Sequence, residues 1–546
     1  MVKYKRGHLY YPEIPIHKIL EETSERFPDK LAFLYPRELN FKEFKKKVDI
    51  FATALKNLGV KKGDRVALYA PNSIEWEISF FGLEKAGAIF VPMNPMFMES
   101  EVEYEANDSG VEIIIINQPL YPIVAKVKEN TNIKDIIVIE SDHSSDTPKG
   151  TISWTKLMEN TEPDPPEYNF NPKEDLAALL YTSGTTGLPK GTMLTHYNMV
   201  SNIIQFVPVL ELSELDVTMT VLPLYHIYSL NVLMNTAIWL GAAQVITPRF
   251  EIEEFCELIE KFEVTYSLCV PPIFLSVVRY LEDPDVREYD WSNLKLFNNG
   301  VAPIPMELLE RFYKLAKEKC KAKDVTVQHG WGLTEASPVV ATNPMSRPKM
   351  ESQGTLIADT YHKIIDLETR KELPERGQVG ELVIKGPQVM KGYWMKPEAT
   401  EQAFWTDPKT GEKWLKTGDM AYIDDEEYEH LVDRLKEMIK YKGWAIAPAE
   451  LEDLLFKHPK VFDAAVIGKP SKELDIGQIP KAFIILKPEF KGQVTEQEII
   501  DWVAERISAY KKIREVEFLD EIPKSASGKI LRRELVDLEK ERLGIK

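Results

Sequence analysis

Short apolar strands alternating with helix-length amphipathic segments fill the first part of the chain, and this alternation constrains its fold more than any other feature. Arg65-Val-Ala-Leu-Tyr-Ala70, Ala88-Ile-Phe-Val91, Val111-Glu-Ile-Ile-Ile-Ile116 and Ile136-Ile-Val-Ile139 are the strand-like runs. Helical spacing marks Ile16 to Phe27, Phe41 to Leu58 (apolar at Phe44, Val48, Phe51, Leu55 and Leu58, stopped by Gly59) and Ser73 to Ala86, ended by Gly87. Strands that alternate with helices predict βαβ units and a parallel sheet. A chain of 546 residues exceeds what one hydrophobic core supports. The texture changes after the acidic turn Asp424–Glu429 and the charged stretch Val432–Glu437. Beyond it the pattern predicts a helix over Ala449–Lys457, strands over Asp463–Ile467 and Lys481–Leu486, and a helix over Glu496–Tyr510. The fold class expected is α/β. A large N-terminal domain of αβ layers with mostly parallel sheets spans residues 1–432, and a smaller α+β C-terminal domain spans 433–546.

Composition narrows the function. The chain has 68 basic against 86 acidic residues, a net charge of -18, which argues against nucleic acid as a partner. Cys256, Cys269 and Cys320 form no CxxC or Cys/His cluster, so neither a disulfide framework nor a zinc site is expected, and a cytoplasmic location fits. The basic start Met1–His8 is followed by no apolar stretch and reads as no signal peptide, and the C-terminus carries no Ser-Lys-Leu. The longest apolar run, Val232 to Ile246, is broken by Asn235 and Gln244 and is shorter than the roughly 20 residues a membrane span needs. It reads as a buried helix, and no integral membrane segment is expected.

Asp175-Leu-Ala-Ala-Leu-Leu-Tyr181 is an apolar strand running into Thr182-Ser-Gly-Thr-Thr-Gly-Leu-Pro-Lys-Gly191. Gly184, Gly187 and Gly191 permit tight turns and close approach of backbone to a ligand. Successive N–H groups and the hydroxyls of Thr182, Ser183, Thr185 and Thr186 can wrap a polyphosphate, with Lys190 as counter-charge. The loop is not a Walker A sequence, which would end in Gly-Lys-Ser/Thr, and Thr192–Thr195 alternates like a strand. A Gly-rich hairpin is the expected form.

From about Ile16 to Glu534 the chain resembles the superfamily of acyl-CoA synthetases, peptide-synthetase adenylation domains and firefly luciferases. Further motifs follow in the family's order. Val221-Leu-Pro-Leu-Tyr-His-Ile-Tyr228 resembles the segment whose histidine, here His226, borders the acyl pocket. Alone, a histidine between apolar residues reads as a core residue. Asn298-Asn-Gly-Val-Ala-Pro303 resembles the adenine-side loop, with Gly300, Val301 and Ala302 along the nucleotide and Asn299 replacing a smaller residue. Gln328-His-Gly-Trp-Gly-Leu-Thr-Glu335 resembles the aromatic-Gly-x-Thr-Glu signature. It places His329, Gly330, Trp331, Gly332, Leu333 and Thr334 at the nucleotide, with Trp331 on adenine, and Glu335 with Thr185 on Mg²⁺. Thr417-Gly-Asp419 and Asp433-Arg434 resemble the ribose-binding pair, Asp419 and Arg434. Leu435-Lys436 falls at the family's hinge, which makes the small domain mobile. Lys440, Gly443 and Trp444 follow, Gly443 on the pantetheine route. Pro523–Ile530 resembles the final motif and places Lys529 as the catalytic lysine.

The resemblance implies an AMP-forming acyl-CoA ligase using ATP, Mg²⁺ and coenzyme A on a small-molecule carboxylic acid, with Lys529, Thr185, Glu335 and His226 as its catalytic set. Acetate-specific relatives carry a second tryptophan where this chain has Gly332, so a deeper acyl cavity is expected. With Ile227, Leu230, Val270, Pro271, Val339 and Val340 nearby, a medium- or long-chain fatty acid is the first reading. A short hydroxy acid resembling hydroxybutyrate, or an aryl acid, is the alternative. A stand-alone amino-acid adenylation enzyme, luciferase-like oxidation and a non-catalytic nucleotide binder stand further back. Oligomeric state is left open, a homo-oligomer included.

Overall fold

The computed structural model describes residues 9–545 apart from 142–145, 183–187, 301–303, 305, 442–443, 472–476 and 526–528. Its larger body is built on three sheets. A nine-stranded sheet runs in the order Thr355–Leu356, Val339–Thr342, Thr326–Gly332, Leu296–Asn299, Tyr266–Cys269, Val217–Thr220, Ala243–Ile246, Leu31–Tyr35 and Leu39–Asn40. The strands from Thr326–Gly332 to Leu31–Tyr35 pair in parallel, and antiparallel strands close both ends. An eight-stranded sheet has a parallel centre formed by Leu176–Thr182, Ile89–Pro92, Arg65–Tyr69, Ile113–Asn117 and Asp135–Ile139. The third, antiparallel throughout, is centred on Gly380–Lys385 and Lys413–Ile423. The βαβ reading is thus realised as a mixed α/β body.

Helix Ile74–Lys85 shows why the first sheets hold together. Ser73 caps it by accepting from the N–H of Trp76 at 3.0 Å. Every residue from Ile74 to Glu84 is buried, the pattern of a helix covered on all sides. Helix Phe41–Asn57, with a capping box from Asn40 and Glu43, lies against it and contributes Phe44, Phe51 and Leu55 to the shared core.

Glu429–Arg434 is one continuous strand, pairing Asp419 with Arg434 and Met420 with Asp433. The chain therefore leaves the large body at Leu435–Lys436, two residues beyond the boundary read from texture. The small body that follows has a hairpin, Ile439–Tyr441 with Trp444–Ile446, and a sheet of Val461–Pro470, Gln478–Leu486 and Glu515–Phe518. Helices Pro448–Phe456, Glu496–Ala504 and Arg532–Leu543 complete it.

Two sequence expectations change. The run Val232–Ile246 is not one helix: Tyr228–Asn235 is a π-helix, Thr236–Leu240 an α-helix, and Ala243–Ile246 a central strand. Gly241, at φ 80°, turns the chain between them. The π-helix and the strand are both fully covered, so the apolar run carries no periodicity to separate them. The helix expected over Glu496–Tyr510 ends at Ala504, because Ile507 and Tyr510 continue to face the small core after the backbone has left the helix. Among the described residues no helix is long and apolar enough to cross a membrane.

Glu77 and Glu84 are carboxyls buried within Ile74–Lys85. Burial raises the Glu77 carboxyl to about 8; one oxygen accepts from Gln244 at 3.1 Å and the other has no partner among the described residues. The folded chain keeps this proton while the unfolded chain releases it above its ordinary value of 4.5. Folding stability should therefore fall as pH rises from 5 to 8, at up to about 1.4 kcal/mol per unit from this group. Glu77→Gln should gain on the wild type across that range in urea unfolding, and a constant gap between the two would contradict the assignment.

Candidate functional site

Three neighbouring parallel strands pair in register up to Cys269 beside Asn299 and Asn299 beside His329, and the third runs on to Gly332. The carboxyl ends of parallel strands are where α/β sheets bind ligands. The residues expected at the nucleotide, Asn299–Gly300 and His329–Gly332, are therefore brought together by strand order alone. Tyr228 opens the π-helix on the same side, and its hydroxyl meets Asn298 at Oδ1, 2.7 Å away, and at the carbonyl, 2.9 Å away. Asn298 Nδ2 donates to Gln328 Oε1 at 2.9 Å, and Gln328 Nε2 donates to the Asn343 carbonyl at 2.8 Å. This buried chain ties the wall beside His226 to both nucleotide-side strands. Gly300 is required by it: a Cβ there would stand 2.9 Å from Tyr228 Cζ.

His226 accepts at Nδ1 from the Tyr228 N–H at 3.2 Å, and burial lowers its imidazole to about 4. It is neutral near pH 7 with its proton on Nε2, a donor for an uncharged or anionic group. His329 is likewise lowered to about 4 by burial, and its Nε2 has no partner among the described residues. Trp331 packs half-buried against the large core. Gly332 corrects the sequence argument about acyl depth: a Cβ at this position would lie 2.1 Å from the Pro338 carbonyl oxygen. Close packing of backbone dictates glycine here, so the missing indole is no measure of cavity. Of the apolar neighbours named for the acyl tail, Ile227, Leu230 and Val340 sit in one core cluster and Val270 and Val339 in the other.

Strands Leu176–Thr182 and Lys190–Thr195 form the hairpin expected around the Gly-rich loop, with Thr182 opposite Lys190. Ser183, Gly184, Thr185, Thr186 and Gly187 lie outside the described residues, as do Val301, Ala302, Gly443 and the side chain of Trp444. The roots of the loop are fixed by helix Glu99–Ser109. Tyr181 donates to Asp108 at 2.9 Å, Lys396 pairs with the other oxygen of Asp108, and Tyr104 donates to the Pro189 carbonyl at 2.7 Å. These anchors carry no motif and were missed in the sequence.

Tyr393 was also missed. Its hydroxyl donates to Glu335 Oε1 at 2.8 Å, while the Lys190 ammonium lies 5.1 Å from its ring centre. Burial and the charge of Glu335 hold the phenol well above its ordinary range, so it remains a donor. Leu333 N–H donates to Pro338 at 3.0 Å, and Thr334–Ala336 forms the single turn that aims Glu335. Partial desolvation and the charge of Lys190 lower the Lys436 ammonium. Two cations and one carboxylate thus converge at the root of the loop, a composition suited to phosphates. Among the described residues no group of three or more His, Cys, Asp or Glu could hold a metal. Mg²⁺ does not need one, since one or two carboxylates plus phosphate oxygens and water suffice, and Glu335 fits that requirement.

Asp419 lies where strands Lys413–Ile423 and Glu429–Arg434 pair. Its Oδ1 accepts from Arg434 Nε at 2.7 Å, and Oδ2, buried, has no partner among the described residues. Burial raises the carboxyl to about 6 against the opposing charges of Arg434 and Lys529. Thr417 aims the turn by accepting from the Asp419 N–H at 3.1 Å, and Gly418 takes φ 72°. Asp433 holds no ligand-facing position: its carboxylate accepts from the N–H groups of Arg434 and Ala449. Lys529 comes from the small body. The Ser525 N–H donates to its carbonyl at 2.8 Å and its own N–H to Ser525 Oγ at 3.1 Å, closing the segment. Burial and Arg434 lower its ammonium, against the charges of Glu437 and Asp419, so the lysine stands within electrostatic reach of the Asp419–Arg434 pair. Lys440 does not join them in this arrangement, its side chain being exposed on the hairpin.

The family of AMP-binding enzymes matches residues 20–394, and the C-terminal domain of AMP-binding enzymes matches residues 450–529. A 4-coumarate–CoA ligase from Pinus taeda is 39% identical over 539 residues, 96% of this chain and 94% of that protein. The solved structure of a long-chain-fatty-acid–CoA ligase from Archaeoglobus fulgidus is 36% identical, with a TM-score of 0.74 over 95% of this chain and 100% of that one. An anthranilate–CoA ligase solved with anthranoyl-AMP is 29% identical, with a TM-score of 0.86 over 98% and 99% of the two chains.

Proposed function

Because the chain belongs to the AMP-binding enzyme family and is an AMP-forming acid–CoA ligase, we propose that it activates an acid with an apolar, aromatic tail, using the groups around Asp419, Arg434, Glu335 and Lys529. The orphaned buried oxygen of Asp419 carries this assignment of the site: it calls for a donor from outside the protein, and a ribose hydroxyl is one. Arg434 keeps that carboxylate oriented.

The first half-reaction joins a carboxylate to the α-phosphorus of ATP and expels pyrophosphate. A carboxylate is already ionised near neutral pH, so no general base is required. The difficulty is charge, since two anions must meet and the phosphoryl oxygens gain negative charge. Lys529 meets that need between the carboxylate and the α-phosphate, and Lys190 and Lys436 hold the departing end. Glu335 and Thr185 are the proposed holders of Mg²⁺, which would supply positive charge at the β- and γ-phosphates. In the second half-reaction the CoA thiol sulfur bonds to the acyl carbon of the mixed anhydride, the thiol proton is lost, and AMP leaves. The small body, residues 435–546 in this reading, turns about Lys436 between the two, withdrawing Lys529 and bringing Gly443 to the pantetheine route.

The chain superposes better on the anthranoyl-AMP complex than on the fatty-acid ligase, the reverse of the order of identity. Likeness to a ligase solved with an acyl-adenylate supports adenylate formation as the first step. For the acid, the 4-coumarate ligases at 37–40% identity favour an aryl substrate. Tyr228 is compatible with it, since its hydroxyl is engaged by Asn298 and its ring is buried among apolar residues. A medium- or long-chain fatty acid, first in the sequence reading, is kept as the second reading on the 36% identical Archaeoglobus long-chain-fatty-acid–CoA ligase.

A pyrophosphate-release screen over hydroxycinnamates, benzoates and fatty acids of graded length, with and without CoA, tests the substrate assignment. Turnover led by an aryl acid is expected; a decisive preference for long aliphatic acids would overturn it. Ribose recognition has its own test. Adenosine affinity should fall as pH drops through about 6, where Asp419 takes up a proton, because His226 and His329 titrate near 4 and do not contribute. Calorimetric titration from pH 5 to 8 should show this for the wild type and a weak, flat profile for Asp419→Asn. A flat wild-type profile would contradict the role of Asp419.

A further inference from the structure

The two bodies meet at the hinge, where Asp433 receives the N–H of Ala449 at 2.9 Å. They also meet away from it. The guanidinium of Arg279, near the end of helix Pro271–Glu282 in the large body, stands 3.8 Å from the ring centre of Phe462, the second residue of strand Val461–Pro470 in the small body. Glu282, the acid on the same helix, is engaged at both oxygens by Arg311, at 2.8 and 2.6 Å. The ring is therefore what Arg279 packs on; burial and Arg311 disfavour its charge, and Glu282 and Asp463 favour it. Asp463 in turn pairs with Lys524 at 2.6 Å, and Lys524 bridges to Ile530, so the pair clasps both ends of the segment that carries Lys529. A line of contacts runs from Arg279 through Phe462 and Asp463 to the Lys529 segment.

We infer that Arg279 and Phe462 form a latch that holds the small body where Lys529 reaches the Asp419–Arg434 pair, making them positioning residues for adenylate formation. The inference rests on the two-step reading above. A guanidinium over a partly exposed ring is worth a factor of about two to five in an equilibrium. That strength suits the purpose: it biases the orientation that serves adenylation and still lets go for transfer to CoA. A multidentate ion pair at this point would hold the body against the second half-reaction. Arginine over a ring also tolerates the sliding of two rigid surfaces, which a directed hydrogen bond does not.

Arg279→Ala and Phe462→Ala should each slow ATP–pyrophosphate exchange by about two- to fivefold. Both should leave acyl transfer from supplied acyl-adenylate to CoA unchanged or faster. Phe462→Tyr should restore exchange, and the double alanine variant should lose no more than either single one. Unchanged exchange, equal loss in both half-reactions, or additive losses would overturn the latch. A wild type inert toward every acid would instead count against the two-step reading, and a second measurement keeps the latch testable in that case. Spin labels at the exposed positions 307 and 491, one on each body, should give a distance distribution that broadens in Arg279→Ala. Identical distributions would overturn it.

Discussion

Everything at this site depends on one buried carboxylate. Asp419 is 2% exposed, holds Arg434 at 2.7 Å through one oxygen and leaves the other without a protein partner among the described residues. A lone buried charge would be expelled or neutralised; here Arg434 and the approach of Lys529 offset the cost of burial without removing it. Arg434 is also the last residue of its strand, and the chain turns toward the small body immediately after it. The residue that orients the carboxylate is thereby the last strand residue before the small body begins.

The charges around Tyr393 follow the same logic on the other side. Its ring takes the Lys190 ammonium and its hydroxyl takes Glu335, so one side chain spaces a cation and an anion that would otherwise close on each other as an ion pair. Lys436 adds a second cation, its ammonium lowered by partial burial and by the charge of Lys190.

Much of this was legible in the residues. The α/β class and the hairpin around the Gly-rich loop follow from periodicity, and the motifs that the family resemblance marks gather because strand ends in a parallel sheet collect what sequence spreads over 70 residues or so. Local pattern could not give Tyr393, Asp108 or Tyr104, which act through long-range contacts and sit in no motif. Gly332 misled for a related reason: sequence shows that a side chain is absent, and only the Pro338 backbone shows that none could fit. The π-helix at Tyr228–Asn235 was hidden because a fully covered segment has no polar face to betray its period. Arg279 and Phe462 are ordinary surface residues in their own domains, and their meaning appears only when the two bodies are seen together.

The central claim is that activation is delivered by a lysine carried on the small body to a carboxylate–guanidinium pair on the large one. Comparing the two half-reactions of Lys529→Ala tests it most directly, with acyl-adenylate supplied for the second. A loss of adenylate formation far exceeding any loss of thioester formation is the predicted result. Equal loss in both half-reactions, or adenylation that survives the substitution, would contradict the account.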